Sequence, residues 1–159
     1  MAKHWRGTKR CVDMLPPDDV FFMKKALDEA QQAATKGEVP VGVVVVAQGQ
    51  IIARGHNLTE TLNDVTAHAE MQAITAAANH LGGKYLHDCT LYVTLEPCSM
   101  CAGALYWSQL GRLVFAATDN DRGYRKQQTP LHPKTEVSHG ICAQESSELI
   151  QHFFRKKRA

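Results

Sequence analysis

Two short motifs constrain what this chain can fold into, because their side chains can act together only if folding brings them to one place. The first is Thr66-Ala67-His68-Ala69-Glu70, and the second is Glu96-Pro97-Cys98-Ser99-Met100-Cys101. Cysteines at i and i+3 share one face of a helical turn, and zinc accepts thiolate and imidazole ligands in a tetrahedron. We therefore expect His68, Cys98 and Cys101 to bind one zinc ion, with a water molecule at the open fourth position that is typical of a catalytic site.

Glu70 is the candidate proton carrier. It lies two residues after His68, which is about 200° around a regular helix, so the two side chains cannot reach one site along the helix flank. They can converge beyond the N-terminal end of the helix, where the positive end of the helix dipole stabilises thiolates. The sequence thus predicts a site at two helix N-termini, with Glu70 beside the metal rather than bound to it.

Neither motif is specific when it is taken alone. Cys-x-x-Cys also occurs in structural zinc sites and in redox pairs, and His-x-Glu occurs by chance in many proteins. Together, with Pro97 directly before Cys98, they match the His-x-Glu and Pro-Cys-x-x-Cys signature of zinc-dependent nucleobase deaminases. The pair indicates a catalytic zinc site.

Hydrophobic periodicity predicts an α/β domain. The first expected elements are a helix over 19–36 capped by Asp18 or Asp19, and a hairpin of strands 41–47 and 50–55. A helix over 67–80, a strand over 90–95 and a helix that starts with Pro97 and continues over 101–107 follow. The last expected elements are a strand over 113–117, an irregular loop over 118–134, a strand near 136–138 and a helix over 143–157. Helices and strands alternate in the middle of the chain, which favours parallel pairing with helices on both faces of the sheet. We expect three layers, α/β/α.

Composition supports a single folded domain. The chain has 159 residues, of which 44% are hydrophobic and 21% charged, so global disorder and a fibrous fold are excluded. The longest apolar run, 39–47, is far shorter than the roughly 20 residues of a membrane span, and the N-terminus lacks the apolar core of a secretory signal. We expect a cytoplasmic protein without a membrane partner. The five cysteines leave one unpaired in any disulfide framework, and we expect Cys11, Cys89 and Cys142 to be ordinary thiols.

The basic residues are concentrated at the two ends of the chain. Eight of the 18 lysine and arginine residues lie in 1–10 and 155–158, stretches that contain no acidic residue. Such clusters can bind nucleic-acid phosphates, because neutralising phosphates releases counterions, but solvated tails have the same composition. The charge pattern alone leaves both interpretations open.

The motifs and their surroundings resemble one family, the bacterial tRNA-specific adenosine deaminases of the cytidine and deoxycytidylate deaminase superfamily. The matching blocks, in order, are Gly37-Glu38-Val39-Pro40-Val41-Gly42, Gly55-His56-Asn57, Thr66-Ala67-His68-Ala69-Glu70, Leu91-Tyr92-Val93-Thr94-Leu95-Glu96-Pro97-Cys98, Met100-Cys101-Ala102-Gly103-Ala104 and Phe153-Phe154-Arg155. The resemblance runs from about 19 to 158. It implies a cytidine-deaminase-like fold with a central mixed five-stranded sheet, in which 18–159 form the zinc-dependent deaminase domain and 1–17 a basic N-terminal extension that can be disordered.

The resemblance also implies an activity, partners and residue roles. A homodimer would convert the wobble adenosine of a tRNA anticodon stem-loop to inosine, with Glu70 moving the protons and one zinc ion in each subunit. The implied substrate contacts are Asn57 to the flipped nucleotide, Val39 and Pro97 as pocket walls, Ala69 through its backbone, and Phe153, Phe154 and Arg155 to the anticodon loop. The resemblance weakens at Tyr124-Arg125-Lys126, where the family has small residues, and the segment before Phe153 is shorter.

Two other functions remain open at this point. A deaminase of the same fold could act on free guanine or cytosine, although guanine-deaminase relatives usually carry Gly-Pro-Phe-Gly where this chain has Val39-Pro40-Val41-Gly42. Free-cytidine deaminases have Cys at the position of His68, and riboflavin-pathway deaminases space their two cysteines more widely. The second alternative, from a different class, is a nucleic-acid-binding module with structural zinc.

Overall fold

A computed structural model describes residues 17–158, over which the chain forms five helices and five strands. The helices are α1 (Pro17–Thr35), α2 (Thr59–Leu62), α3 (Ala69–Leu81), α4 (Ser99–Ser108) and α5 (Ala143–Arg158). The strands are β1 (Gly42–Ala47), β2 (Gln50–His56), β3 (Cys89–Leu95), β4 (Arg112–Ala117) and β5 (Glu136–His139). Apart from Pro17, the predicted basic extension lies outside the described residues, as does Cys11.

The strands form one mixed sheet in the order β2-β1-β3-β4-β5. β1 pairs antiparallel with β2 and with β3, whereas β3 pairs parallel with β4 and β4 with β5. The prediction of a five-stranded mixed sheet in a three-layer domain is therefore confirmed. Among the helices of 17–158, none has the length and apolar character that a bilayer crossing requires.

The valine run of β1 shows why both faces of the sheet are covered. Val43 and Val45 belong to a core shared with α3 and α4, whereas Val44 and Val46 belong to a second core that includes residues of α1. Successive side chains of a strand point to opposite faces, so a continuous apolar strand needs a helical layer on each side. α1 and α5 form one layer, and α3 and α4 form the other.

Gly42 allows α1 to pack directly on the sheet. A Cβ atom at this position would lie 2.1 Å from the carbonyl oxygen of Ala26 and 2.3 Å from the backbone nitrogen of Ala30. Only glycine permits such a close approach between a helix backbone and a strand. This contact fixes α1 against the strand that leads out of the Val39-Pro40-Val41 segment.

The predicted starts of α3 and α4 are each two residues too early. α3 begins at Ala69 rather than at 67, and α4 begins at Ser99, so Pro97 precedes the helix instead of occupying its first position. His68 and Cys98 are the N-cap residues, with extended backbones, because a residue outside the helix can aim its side chain past the helix end. The short α2 was not predicted, since four residues carry no measurable periodicity.

Asp19 is not the N-cap of α1, because the helix already begins at Pro17. Its carboxylate is buried and accepts hydrogen bonds from the Tyr92 hydroxyl at 2.7 Å and from both terminal nitrogens of Arg112 at 2.8 and 2.7 Å. Arg112 also donates to the Ser138 hydroxyl. One carboxylate thus links α1 to β3 and β4, and through Arg112 to β5.

We predict that Asp19→Ala lowers the free energy of unfolding by about 3 kcal/mol, because it leaves a partly buried guanidinium and a buried hydroxyl without their acceptor. Urea unfolding of the zinc-loaded protein measures the change. The control is Asp18→Ala, which removes an exposed carboxylate from the same helical turn and should stay within about 0.5 kcal/mol of the wild type. Equal losses in the two variants would contradict the prediction.

Candidate active site

The two helix N-termini meet and place the three predicted metal ligands together. The Nδ1 atom of His68 lies 3.5 Å from the Sγ atom of Cys98 and 3.5 Å from that of Cys101, and the three atoms all lie within 4.8 Å of one another. Zinc bonds of about 2.3 Å to sulfur and 2.1 Å to nitrogen give a tetrahedral nitrogen–sulfur edge of about 3.6 Å. The donor set therefore fits a zinc ion.

The surroundings of the two thiols favour the binding of a cation. Hydrogen bonds from Cys101 and from His68 lower the pKa of Cys98 to about 4, although partial burial opposes the shift. Contact with Cys98 and burial raise the pKa of Cys101 above its usual range. Both sulfurs lie close to each other and to His68, so a divalent cation bound by them would stabilise the thiolate forms.

Glu70 lies in the first turn of α3 and borders the same groove as His68 and Cys98. The residue is only 4% exposed, and burial raises the pKa of its carboxyl to about 7. Desolvation disfavours the charged form of a carboxyl, so Glu70 can both accept and donate a proton near neutral pH. The predicted convergence of His68 and Glu70 beyond the helix flank is present, because His68 lies outside the helix and Glu70 inside it.

A groove of about 820 Å³ leads to these side chains. Its walls come from the segments around β1 and β2, from both helix N-termini, from the segment after β4 and from one side of α5. The lining residues are Val39, Val41, Asn57, Thr59, His68, Ala69, Glu70, Leu95, Glu96, Cys98, Ala117, Thr118, Asp119, Asn120, Asp121, Arg122, Ser147, Ile150, Gln151 and Phe154. A space of this size holds a nucleobase together with its ribose.

Asn57 is buried in the groove wall and is held by Glu38, which the sequence analysis did not single out. The Nδ2 atom of Asn57 donates to Oε1 of Glu38 at 3.4 Å, and the same carboxylate accepts the backbone N–H groups of Glu60 and Thr61. Burial would raise the pKa of Glu38, but the hydrogen bonds, chiefly from Thr61, outweigh it and lower the pKa. An acid directly before an apolar strand run was the signal that could have identified this residue.

Glu96 is a second functional residue that sequence reasoning passed over, although it belongs to the cysteine motif. Its side chain is 2% exposed and forms an ion pair with Arg125, whose Nε atom lies 3.1 Å from Oε2. Burial would raise the pKa of Glu96, but the hydrogen bonds from Arg125 and from the N–H of Asp119 lower it. An acid at the end of a predicted apolar strand needs a partner, and that requirement was the available signal.

The structure does not bring all implied substrate contacts to the groove. Val39, Asn57, Ala69 and Phe154 line it. Pro97 is buried and accepts the N–H of Tyr124 through its carbonyl oxygen, and it is not among the lining residues. Phe153 and Arg155 also lie outside the residues that line the groove.

Phe153 lines a separate cavity of about 190 Å³ between α1 and α5, together with Gln31 and Leu149. Arg155 is exposed in the last turn of α5, where Lys156, Lys157 and Arg158 follow it. The two phenylalanines therefore point to different sides of α5, and the basic cluster lies at the end of the helix whose side borders the groove.

Comparison with known proteins identifies the family. The family model of the cytidine and deoxycytidylate deaminase zinc-binding region matches residues 16–117. The tRNA-specific adenosine deaminase of Aquifex aeolicus is 44% identical over 87% of this chain and 95% of its own length. The chain belongs to the tRNA-specific adenosine deaminases. The resemblance drawn from the motifs is thereby confirmed.

Solved structures support the same assignment. A tRNA:A34 deaminase that carries out A-to-I editing at the wobble position of transfer RNA superposes on this deaminase with a TM-score of 0.74 at 41% identity, and covers 81% of this chain and 98% of its own. A guanine deaminase from Bacillus subtilis matches with a TM-score of 0.61 and 41% identity over 67% of this chain and 68% of its own. The deaminase fold is thus shared by enzymes named for different substrates.

We predict that Cys101→Ser lowers zinc affinity by at least about 100-fold, because the hydroxyl replaces a thiolate ligand. Competition with a chromophoric chelator measures the affinity directly. Cys142→Ser, which changes a half-buried thiol outside the cluster, should bind zinc like the wild type. Unchanged zinc affinity in Cys101→Ser would remove this residue from the ligand set.

Proposed function

We propose that this protein hydrolyses the wobble adenosine of a tRNA anticodon to inosine and releases ammonia. The observation that carries the proposal is the buried Glu70 carboxyl beside His68, Cys98 and Cys101, in a groove large enough for a nucleoside. The related enzymes named as tRNA-specific deaminases support the choice of substrate. The reaction replaces the amino group of the base by oxygen from water.

The metal site takes one zinc ion per subunit. Held by His68, Cys98 and Cys101, this ion would supply a Lewis acid that lowers the pKa of a water molecule. The other chemical requirement, proton transfer, is met by the protein itself.

Glu70 moves the protons of the reaction. Its carboxylate accepts a proton from the attacking water, and its carboxylic acid then donates a proton to a ring nitrogen of the adenine. Glu70 next removes the proton from the hydroxyl newly added to the ring and passes it to the departing amine, so the carbonyl of inosine forms as ammonia leaves. A pKa of about 7 suits these transfers, because both protonation states are populated near neutral pH.

The target base reaches this site only when its nucleotide leaves the stack of the anticodon loop. Asn57 then contacts the flipped nucleotide, Val39 forms an apolar wall, and a backbone group of Ala69 faces the base. Pro97 acts from behind the groove, where it supports Cys98. Glu38 holds the amide of Asn57 in one orientation.

The remainder of the anticodon stem-loop is bound by α5. Phe154 stacks against a base at the side of the groove, and Arg155 with the basic residues after it neutralises phosphates. Phe153 serves this surface indirectly, because it packs α5 against α1. The enzyme acts as a homodimer, as the family resemblance implies, and in the cytoplasm, as its sequence led us to expect.

A free base is the alternative substrate, and the similarity to the Bacillus subtilis guanine deaminase supports testing it. Val39 and Val41 both line the groove, at the position where guanine-deaminase relatives usually carry a Gly-Pro-Phe-Gly segment. The second alternative, a nucleic-acid-binding module with structural zinc, gives no role to a buried acid with a raised pKa.

We predict that Glu70→Gln lowers kcat for deamination by about 10³-fold, within the range that general acid–base catalysis contributes. Zinc content and affinity for the anticodon stem-loop should be retained, because the amide has nearly the same shape. The matched control is Glu136→Gln, which neutralises an exposed acid on β5 and should leave kcat unchanged. Equal kcat values for Glu70→Gln and the wild type would rule out the proton-transfer role.

The substrate is tested by offering the zinc-loaded protein an anticodon stem-loop with a wobble adenosine, beside free guanine, cytosine and cytidine. We expect ammonia release and inosine formation with the stem-loop only. Turnover of a free base alone would keep the zinc chemistry and replace the proposed substrate. Binding of the stem-loop with no turnover of any substrate would favour the structural-zinc alternative.

A further inference from the structure

The loop after β4 is anchored to the motif that carries the zinc ligands. Oε1 of Glu96 accepts the backbone N–H of Asp119 at 3.0 Å and Nη2 of Arg125 at 3.2 Å. Oε2 accepts the backbone N–H and the Nε atom of Arg125, each at 3.1 Å. One buried carboxylate thus holds both ends of the 119–125 segment.

The segment lies directly against that carboxylate. A Cβ atom at Gly123 would be 2.4 Å from the side-chain carboxyl carbon of Glu96, so a larger residue there would push the segment away. The N–H of Tyr124 donates to the carbonyl oxygen of Pro97 at 2.8 Å, and Gly123 pairs with Cys98 in an isolated bridge. The loop therefore packs on the chain immediately before the first zinc-ligand cysteine.

The same loop forms one wall of the groove. Its wall-forming residues are Thr118, Asp119, Asn120, Asp121 and Arg122. Thr118 directly precedes the first point at which Glu96 binds the backbone, and the other four lie between that point and the second, at Arg125. The position of this wall consequently depends on the bonds that Glu96 makes.

We propose that Arg125 is a positioning residue that fixes the 118–122 wall of the groove by clamping Glu96, and so sets the affinity of the enzyme for its RNA substrate. The inference rests on the proposed function for the identity of that substrate. Arg125 acts through Glu96 and does not take part in the chemical step.

The contacts of Arg125 suit this role. Its guanidinium carbon lies 5.0 Å from the centre of the Phe115 ring, and Nη1 lies 3.4 Å from Nε2 of His139. A planar guanidinium forms two parallel hydrogen bonds with a carboxylate, which a lysine ammonium cannot do. Without Arg125, the buried Glu96 carboxylate loses its cationic partner, and the two N–H groups alone must compensate its charge.

A wall that is not fixed in advance must be ordered when the substrate binds, which costs free energy of binding. The wall contacts the substrate in the ground state and in the transition state alike, so its loss raises KM without lowering kcat. We expect Arg125→Ala to raise KM for the stem-loop about tenfold and to change kcat less than about threefold. Arg125→Lys should give an intermediate KM, because it restores the charge but not the paired hydrogen bonds.

The paired hydrogen bonds between Arg125 and Glu96, which we call the clamp, can be tested without any substrate. Amide hydrogen exchange of the zinc-loaded protein follows the N–H groups of Asp119 and Arg125, both of which donate to Glu96. In Arg125→Ala these amides should exchange about tenfold faster, while those of the β3–β4 pair remain protected. Unchanged exchange at both amides would overturn the proposal whatever the substrate proves to be.

Kinetics then test what the clamp does. Lys126→Ala is the matched control, because it removes a positive charge from the same exposed loop and so measures general attraction of RNA. Its KM should match that of the wild type. The positioning role would be overturned if Arg125→Ala exchanged these amides faster but kept the KM of the wild type. It would also be overturned if Lys126→Ala raised KM as much as Arg125→Ala does.

A double-mutant cycle separates action through Glu96 from direct contact with RNA. If Arg125 acts through Glu96, then Glu96→Gln and Arg125→Ala raise KM by similar factors, and the double variant is no worse than either. Multiplied effects would overturn the proposal, since they would mean that Arg125 binds RNA directly. If the stem-loop is not deaminated, the proposed function fails. The exchange measurement still tests the contact between Arg125 and Glu96. The kinetics then use whichever of free guanine, cytosine and cytidine the enzyme deaminates.

Discussion

The site depends on two helix N-termini being held against each other, since each supplies a candidate zinc ligand from its N-cap residue. β2 packs closely on the first turn of α3, where a Cβ atom at Gly55 would lie 2.8 Å from the carbonyl oxygen of Ala69. The chain before α4 is fixed to β4 by the hydrogen bond from the N–H of Glu96 to the carbonyl oxygen of Ala117. With both termini fixed by backbone contacts, His68 and Cys98 approach to 3.5 Å in a geometry ready for the metal.

The part of the site that the sequence could predict is the part that local spacing determines. Cys98 and Cys101 lie one helical turn apart, and the offset between His68 and Glu70 required their side chains to converge beyond the helix N-terminus, although it did not place His68 outside the helix. The layers of the domain could be predicted because helices and strands alternate in the middle of the chain, and the valine run of β1, which is covered on both faces, agrees with that prediction. Helix starts were less certain, because N-cap residues such as Cys98 have none of the side chains that usually mark a cap.

Contacts between distant residues could not be predicted in the same way. Periodicity shows that Asp19 lies on a helix. It does not show that its partner is Arg112, the first residue of β4. The same limit applies to Glu38 with Asn57, and to Glu96 with Arg125. In each case a buried carboxylate organises two segments, and its partners depend on the complete fold rather than on neighbouring residues. Sequence reasoning can mark such acids as needing partners, but not name them.

The charges of the molecule separate substrate binding from chemistry. The groove lining carries the acidic residues Glu70, Glu96, Asp119 and Asp121 and the basic residue Arg122, so its charge balance does not favour phosphates, whereas the basic residues Arg155–Arg158 lie at the end of α5. Binding energy from the remote part of an RNA can therefore position the base without placing phosphates beside the buried acid. A free base would meet the same Glu70 and the side of α5 that lines the groove, but would gain nothing from the basic end of that helix. The proposed preference for a nucleotide within an RNA thus rests on where the charges lie, whereas the proposed zinc chemistry would be the same for either substrate.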